Sequence, residues 1–177
     1  MNDERNAGAA GVVLVLLGSN IDRQRNVPAA VDYLRRHPDW CVTAVSSIYE
    51  SAAVGGSGEQ PIFWNAAVCM KTGMTPSVLR NELRLIEAEM GRRRSADKFA
   101  PRPIDLDIAL FDDLEIEIEG SHIPDPDIVR YAHVAMPLAE IAPNRIHPSN
   151  GRTLSAIAET LDRAQLTVID ATSSPQR

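Results

Sequence analysis

The densest chemistry in the chain lies in residues 92–108, Arg92-Arg93-Arg94-Ser95-Ala96-Asp97-Lys98-Phe99-Ala100-Pro101-Arg102-Pro103-Ile104-Asp105-Leu106-Asp107-Ile108. Five basic residues in a loop-like segment run directly into a short apolar strand that carries two aspartates. Side chains alternate across a strand. Asp105 and Asp107 therefore point the same way, roughly 7 Å apart. Two carboxylates so placed repel unless a cation lies between them. Mg²⁺ prefers oxygen ligands and usually takes one or two carboxylates together with substrate phosphates. The neighbouring arginines offer planar forks of donors that fit phosphate oxygens. Metal-binding carboxylates beside a basic loop are the components of phosphoryl transfer.

Each half of this pattern has an ordinary reading: an exposed strand face for Asp-x-Asp, a solvated loop for the basic run. Their junction through Pro101-Arg102 favours a site. Leu106, Ile108, Leu110 and Phe111 are the residues that would bury the strand and hold the aspartates rigid.

The run Lys98-x-Ala100-Pro101-Arg102-x-x-Asp105-Leu106-Asp107-Ile108 resembles the signature of the 6-hydroxymethyl-7,8-dihydropterin pyrophosphokinase family. Three further stretches are similar to that family and fall in its order: Leu17-Gly18-Ser19-Asn20, Asn65-Ala66-Ala67-Val68, and Pro137-Leu138-x-Glu140-Ile141-Ala142-Pro143. The likeness covers roughly residues 11 to 165, which leaves too little chain for a fused synthase domain.

The resemblance implies transfer of the terminal diphosphate of ATP to the hydroxymethyl group of the dihydropterin, with release of AMP, in folate biosynthesis. Asp105 and Asp107 would hold two Mg²⁺ ions. Arg92 and Arg102 correspond to phosphate-binding arginines and count with the two aspartates as catalytic. Arg94, Lys98, Phe99, Ile108 and Glu87 fall among the nucleotide-binding positions, and Arg94, Lys98 and Phe99 lie in the lid-like part of the loop. Phe63, Asn65, Gly55 and His133 fall among the pterin-binding positions. Read without the family, Phe63 and Asn65 are a core aromatic and a turn-capping amide. They are also an aromatic beside an amide that can donate and accept, which suits a flat heterocycle. Glu87 keeps two readings, a surface ion pair with Arg92 or Arg94, or a member of the site.

The chain departs from the family pattern in places. Phe99 stands where Trp is common. Asp125 stands after Pro124 in place of His, and Tyr131 in place of Arg, with Arg130 one residue early. His133 replaces an aromatic that stacks on the pterin. An added Asp beside a triphosphate is unfavourable unless it faces away or reaches a metal.

Composition sets the outer bounds. The chain has 177 residues, 44% hydrophobic and 24% charged, as in an ordinary globular domain. It reads as a single pterin pyrophosphokinase-like domain over 1–177, with residues 1–10 and 173–177 frayed. A net charge of −6 argues against a nucleic-acid surface, so the basic run is a local patch suited to a small anion. Cys41 and Cys69 match no metal or redox motif and read as buried thiols in a reducing cytoplasm. The four histidines lack zinc spacing, and no apolar run is long enough for a membrane span. The expected partners are the pterin and ATP, for a monomer.

The elements that position these residues follow from periodicity. Gly11 to Leu17 reads as a central strand that Gly18-Ser19-Asn20 breaks. Asp22 to Arg36 is a helix stopped by Pro38. Trp40 to Tyr49 alternates as one strand, Ala52 to Pro61 is a loop, and Ile62 to Thr72 is the next strand. Thr75-Pro76 caps a helix that ends at Gly91. The strand Ile104 to Phe111 is followed by a turn at Asp112-Asp113 and a half-exposed strand from Leu114 to Glu119. Pro124-Asp125-Pro126 opens a short helical or irregular segment. Helices are expected over Pro137 to Ala142 and Thr153 to Leu161, and a last strand over Leu166 to Asp170. This order predicts an α+β fold, a ferredoxin-like α/β sandwich with a mainly antiparallel sheet and helices packed on it. Two other readings stay open: a non-catalytic or altered-specificity relative that binds pterin or nucleotide, and a ferredoxin-like interaction module whose Asp-x-Asp binds nothing.

Overall fold

The computed structural model describes residues 10–53, 62–93 and 100–169. Strand β1 (Gly11–Ser19) runs antiparallel between β4 (Phe63–Thr72) and β5 (Asp105–Phe111). The other edge of β4 is shared. β2 (Trp40–Val45) pairs with its C-terminal half and β3 (Ile48–Ser51) with its N-terminal end. β8 (Leu166–Ile169) pairs with β3 on its outer side. A separate hairpin joins β6 (Ile116–Ile118) to β7 (Ser121–Ile123). Among the described residues every strand pairing is antiparallel, as the sequence predicts.

The uninterrupted apolar run of β1 follows from its place between two layers. Val13, Val15 and Leu17 face a core shared with α1 (Arg23–Arg36) and α2 (Pro76–Glu89). Leu14 and Leu16 face the opposite core, built with α3 (Ala132–Ile141) and α4 (Leu154–Ala158). Helix α2 starts where Thr75 Oγ1 accepts from Val78 N at 3.4 Å and stops at Gly91, whose φ is +88°. Its inner face buries Leu79 and Leu83 to 0% and 1% exposure. Truncating either to Ala would cost about 2–5 kcal/mol.

Several boundaries differ from the sequence reading. β1 continues through Gly18 to Ser19, because Gly18 pairs with both Asn65 and Asp105. The expected strand over 40–49 is two strands. Ser46 Oγ takes the Ala67 N–H at 2.8 Å, and Ser47 N donates to the Glu140 carboxylate rather than to β4. Cys41 is exposed and Cys69 partly so, which corrects the expectation of buried thiols; Cys41 lies on β2, against Lys71 of β4, and its side chain points outward. Helix α3 begins at Ala132, five residues before Pro137, which it carries inside. Helix α4 ends at Ala158, short of Leu161. Among the described residues no helix is long and apolar enough to cross a membrane.

Candidate active site

The end of β1 meets the beginnings of β4 and β5 at one edge of the sheet. On the α3 face of this junction opens a cleft of about 290 Å³. Alternation puts Phe63, Asn65, Asp105 and Asp107 on this face. Gly18 lies between them, where a Cβ would come within 3.8 Å of Asn65 Oδ1 and 4.0 Å of the Phe63 ring. Its lack of a side chain keeps the floor open. The facing wall is a 3-10 turn, Pro126–Val129, followed by the first turn of α3. Asp125 and Asp127 line the cleft from the first, His133 and Val134 from the second. This wall is tied to the sheet by Asp125 N donating to Ala109 O at 2.9 Å.

The two strand aspartates have unlike surroundings. Asp105 is clasped by both arginines, with Arg92 Nη1 on Oδ1 and Arg102 Nη1 on Oδ2. Burial opposes its charge, but the guanidiniums outweigh burial and hold its carboxyl below the ordinary range. Asp107 makes no hydrogen bond or ion pair among the described residues. Desolvation by the surrounding protein pushes its carboxyl up to about 7; Asp105, Asp125 and Glu87 add to this by like charge and Arg92 opposes it. Its side chain still opens to cleft water, so solvent tempers the desolvation and like-charge repulsion is the firmer cause. Asp125 is also raised, first by burial, although its side chain accepts the Asp127 N–H at 2.8 Å.

Arg92 and Arg102 are themselves fixed from behind. Glu87 is 1% exposed, and its Oε1 accepts from Arg92 Nη1 at 2.6 Å and from Leu106 N at 2.8 Å. It is an interior pair on the α2 side of the sheet, not a surface one. Asn20, 5% exposed, holds the other arginine by its backbone. Arg102 N donates to Asn20 Oδ1 at 2.7 Å, and Asn20 N donates to Arg102 O at 3.2 Å.

At the other end of the cleft, Asn65 Nδ2 donates to Tyr49 O at 3.2 Å and to Ser51 Oγ at 3.0 Å. Both amide donors are thereby used, and Oδ1 is the part of Asn65 left for a ligand. Phe63 lies beneath Arg102, whose guanidinium carbon is 5.9 Å from the ring centroid. His133 stacks on Tyr131 at 5.4 Å. Burial pushes its imidazole below the ordinary range, with Asp127 opposing, so the ring is neutral at pH 7.

Of the residues singled out from the sequence, Phe63, Asn65, Arg102, Asp105, Asp107 and His133 line one cleft. Arg92 stands at its edge through Asp105. Ile108, 5% exposed, faces the α1–α2 core, because its side chain alternates away from that of Asp107; neither it nor Glu87 lines the cleft. Gly55, Arg94, Lys98 and Phe99 lie outside the described residues. Asp125 faces into the cleft, not away from it. Arg130 is turned to solvent and pairs with Asp127 at 3.6 Å. Sequence reasoning gave no role to Ser51 or Asp127 and left Asn20 as part of a turn. Asn20 does sit in the Leu17-Gly18-Ser19-Asn20 stretch, the one signal that could have marked it.

A hard divalent cation fits Asp105 and Asp107 in one respect: Asp107 has no hydrogen-bond or ion-pair partner among the described residues, and its charge is unfavourable where it stands. Among the described residues no group of three or more His, Cys, Asp or Glu is placed to hold a metal alone. Two carboxylates completed by substrate phosphates are the arrangement Mg²⁺ commonly takes.

Comparison with known families matches residues 14–143 to the family described as 7,8-dihydro-6-hydroxymethylpterin-pyrophosphokinase. A 2-amino-4-hydroxy-6-hydroxymethyldihydropteridine pyrophosphokinase of Bacillus subtilis is 42% identical over 131 residues, covering 73% of this chain and 77% of the relative. Its namesake from Pseudomonas aeruginosa is 36% identical over 143 residues, covering 80% and 86%. A crystal structure of a Plasmodium falciparum HPPK-DHPS triple mutant superposes with a TM-score of 0.66 at 12% identity, over 87% of this chain. The match spans 42% of that longer chain and speaks to fold alone.

Proposed function

The chain belongs to the 7,8-dihydro-6-hydroxymethylpterin-pyrophosphokinase family, and we propose that it transfers diphosphate from ATP to the hydroxymethyl group of 6-hydroxymethyl-7,8-dihydropterin, releasing AMP, as a step of folate biosynthesis. One observation carries the reading. The Asp107 carboxylate, unpartnered among the described residues, and the open Asn65 Oδ1 line the same cleft, so a metal-phosphate group and a flat donor-bearing heterocycle would meet there.

In this reading the dihydropterin lies on Phe63, with Asn65 Oδ1 accepting from an N–H of its pyrimidinone edge and the neutral His133 ring covering it. Gly55 would be a further pterin-binding residue. The hydroxymethyl oxygen attacks the β-phosphorus of ATP, and the bond to the α,β-bridging oxygen breaks so that AMP departs. Positioning and charge compensation supply most of the acceleration in such a transfer. Asp105 and Asp107 would hold two Mg²⁺ ions, which supply charge neutralisation on the triphosphate. Freeing Asp105 for that task means giving up its two guanidiniums. Arg92 and Arg102 would turn to the phosphate oxygens as they leave, so the carboxylate exchanges two monocations for a dication. Glu87 acts behind them as a positioning residue. Arg94, Lys98 and Phe99 would be nucleotide-binding residues; Ile108 supports β5 from the core side.

The same reading makes residues 1–177 one domain, acting in the cytoplasm as a monomer on two small molecules. The test is AMP release measured with ATP, Mg²⁺ and the dihydropterin, each omitted in turn. Formation of AMP only when all three are present is expected. Tight calorimetric binding of both substrates without turnover would overturn the catalytic reading in favour of a binding relative.

A further inference from the structure

Glu140 stands at the C-terminal end of α3, at the opposite end of that helix from His133. Its carboxylate accepts four hydrogen bonds. Ser47 N donates to Oε1 at 2.9 Å and to Oε2 at 3.1 Å, Ser47 Oγ donates to Oε1 at 2.8 Å, and Tyr49 Oη donates to Oε2 at 2.8 Å. Glu140 is an exposed residue, and an exposed carboxylate does not ordinarily satisfy three donors on a strand 91 to 93 positions away in sequence.

The consequence lies along β3. Ser47 is where β2 and β3 part, and the bond from its N–H to Glu140 replaces a ladder bond. Tyr49 is paired with Asn65, and Ser51 with Phe63. Tyr49 O and Ser51 Oγ are the groups that take both donors of Asn65 Nδ2. One carboxylate thus anchors the strand that orients Asn65 and the helix that carries His133, the two opposite walls of one end of the cleft.

We infer that Glu140 is a positioning residue for the pterin end of the site, fixing the orientation of the Asn65 amide and the seat of α3 without touching either substrate. The inference rests on the proposed pyrophosphokinase reading. The Tyr49 phenol agrees with a firmly held contact: burial first, and then the Glu140 bond, push it up to about 12.

The role separates from mere stabilisation because it acts on one substrate only. Glu140→Ala should weaken calorimetric binding of 6-hydroxymethyl-7,8-dihydropterin about 10-fold, well inside the roughly 100-fold that remote misplacement can cost. Affinity for ATP, at the Arg92 and Arg102 end, should stay within about 2-fold. Glu140→Gln retains an acceptor for Ser47 N and a partner for Tyr49 Oη, so it should restore pterin affinity to within about 3-fold of the wild type. Ultraviolet titration should show one tyrosine of the Ala variant ionising nearer the ordinary value of about 10. If Glu140→Ala does not fold, Tyr49→Phe and Ser47→Ala each remove one donor, and each should weaken pterin binding while sparing ATP. Unchanged pterin affinity, a parallel loss of ATP affinity, or a Gln variant no better than Ala would each overturn the inference. A wild-type protein that binds no pterin would instead sink the functional reading beneath it.

Discussion

Asp105 and Asp107 leave the same face of β5 two residues apart, yet one is held ionised by two guanidiniums and the other is pushed up to about 7 by desolvation and its acidic neighbours. The first has its cations already; the second has none among the described residues. That asymmetry makes Asp107 the group with most to gain from an added cation.

Asp107→Asn removes the charge and keeps the shape. AMP release should fall by at least about 100-fold, on the scale of losing a principal electrostatic contact. Stability should move the other way. A carboxyl whose folded value is raised binds more protons folded than unfolded, so it costs stability as pH rises from about 4 towards about 7. In EDTA the variant should melt no lower than the wild type at pH 8, and its melting temperature should lose part of that pH dependence. A variant that melts lower and still turns over would contradict both halves.

Asn20 earns its place through the backbone of Arg102. Asn20→Ala deletes the Oδ1 that accepts the Arg102 N–H at 2.7 Å. Stranding that donor should cost about 1–2 kcal/mol, or about 2–8 °C in melting temperature for a chain of this size. Because the proposed function turns Arg102 to the phosphates of ATP, the Michaelis constant for ATP should rise more than that for the pterin. Asn20→Asp keeps the acceptor but sets a charge at a position only 5% exposed, which has its own cost, so the Ala variant is the test. Asn20→Ala that melts like the wild type with an unchanged Michaelis constant for ATP would refute the clamp.

How far the sequence could be read depended on the range of the forces involved. The shared face of Asp105 and Asp107, the Thr75 cap and the doubly buried β1 follow from period and propensity within a few residues, and each is where those rules put it. The break between β2 and β3 depends on Glu140, 93 positions away from Ser47, and no local pattern in Trp40 to Tyr49 announces it. Pro137 suggested a helix start, whereas the packing of Val134, Ala135 and Leu138 against the sheet carries α3 through it. In the sequence Glu87 reads equally as a surface ion pair or as a member of the site. Only the fold shows that Leu106 N and Arg92 converge on it inside the protein.

That convergence makes Glu87 costly to remove. Glu87→Ala would leave the Arg92 guanidinium, whose side chain is 12% exposed, with Asp105 but without its second carboxylate, and the Leu106 N–H without an acceptor. Stranding a buried donor costs about 1–3 kcal/mol, so the melting temperature should fall by roughly 2–12 °C. Glu87→Gln keeps an acceptor for Leu106 N and should lose clearly less. Thermal melts of the three proteins decide it: equal losses for Ala and Gln would show that charge alone, and not the bond to β5, matters there.

His147 predicts an acid sensitivity unrelated to the cleft. It is 5% exposed, its backbone N–H bonds Arg152 O at 2.8 Å, and neither ring nitrogen has a partner among the described residues. Burial pushes the imidazole below its ordinary range, against the opposing influence of Glu115 and a backbone bond. Ser149 Oγ already occupies Glu115 Oε2 at 2.7 Å, which weakens Glu115 as a rescuing acceptor. A histidine whose folded value is depressed is protonated first in the unfolded chain. Its contribution to stability is intact above the unfolded value of about 6.5 and is lost as pH falls below it. His133 is shifted in the same direction, so the wild type should lose stability from about pH 6.5 downward through both groups. His147→Leu fills a similar volume without polar atoms. In urea melts it should be the more stable protein at pH 7.5 by about 1 kcal/mol, the relief of unpaired nitrogens, and its advantage should widen at pH 5.5. An advantage that stays constant across that interval would mean that the imidazole takes up its proton equally in the folded and unfolded states, and the acid lability would then rest on His133.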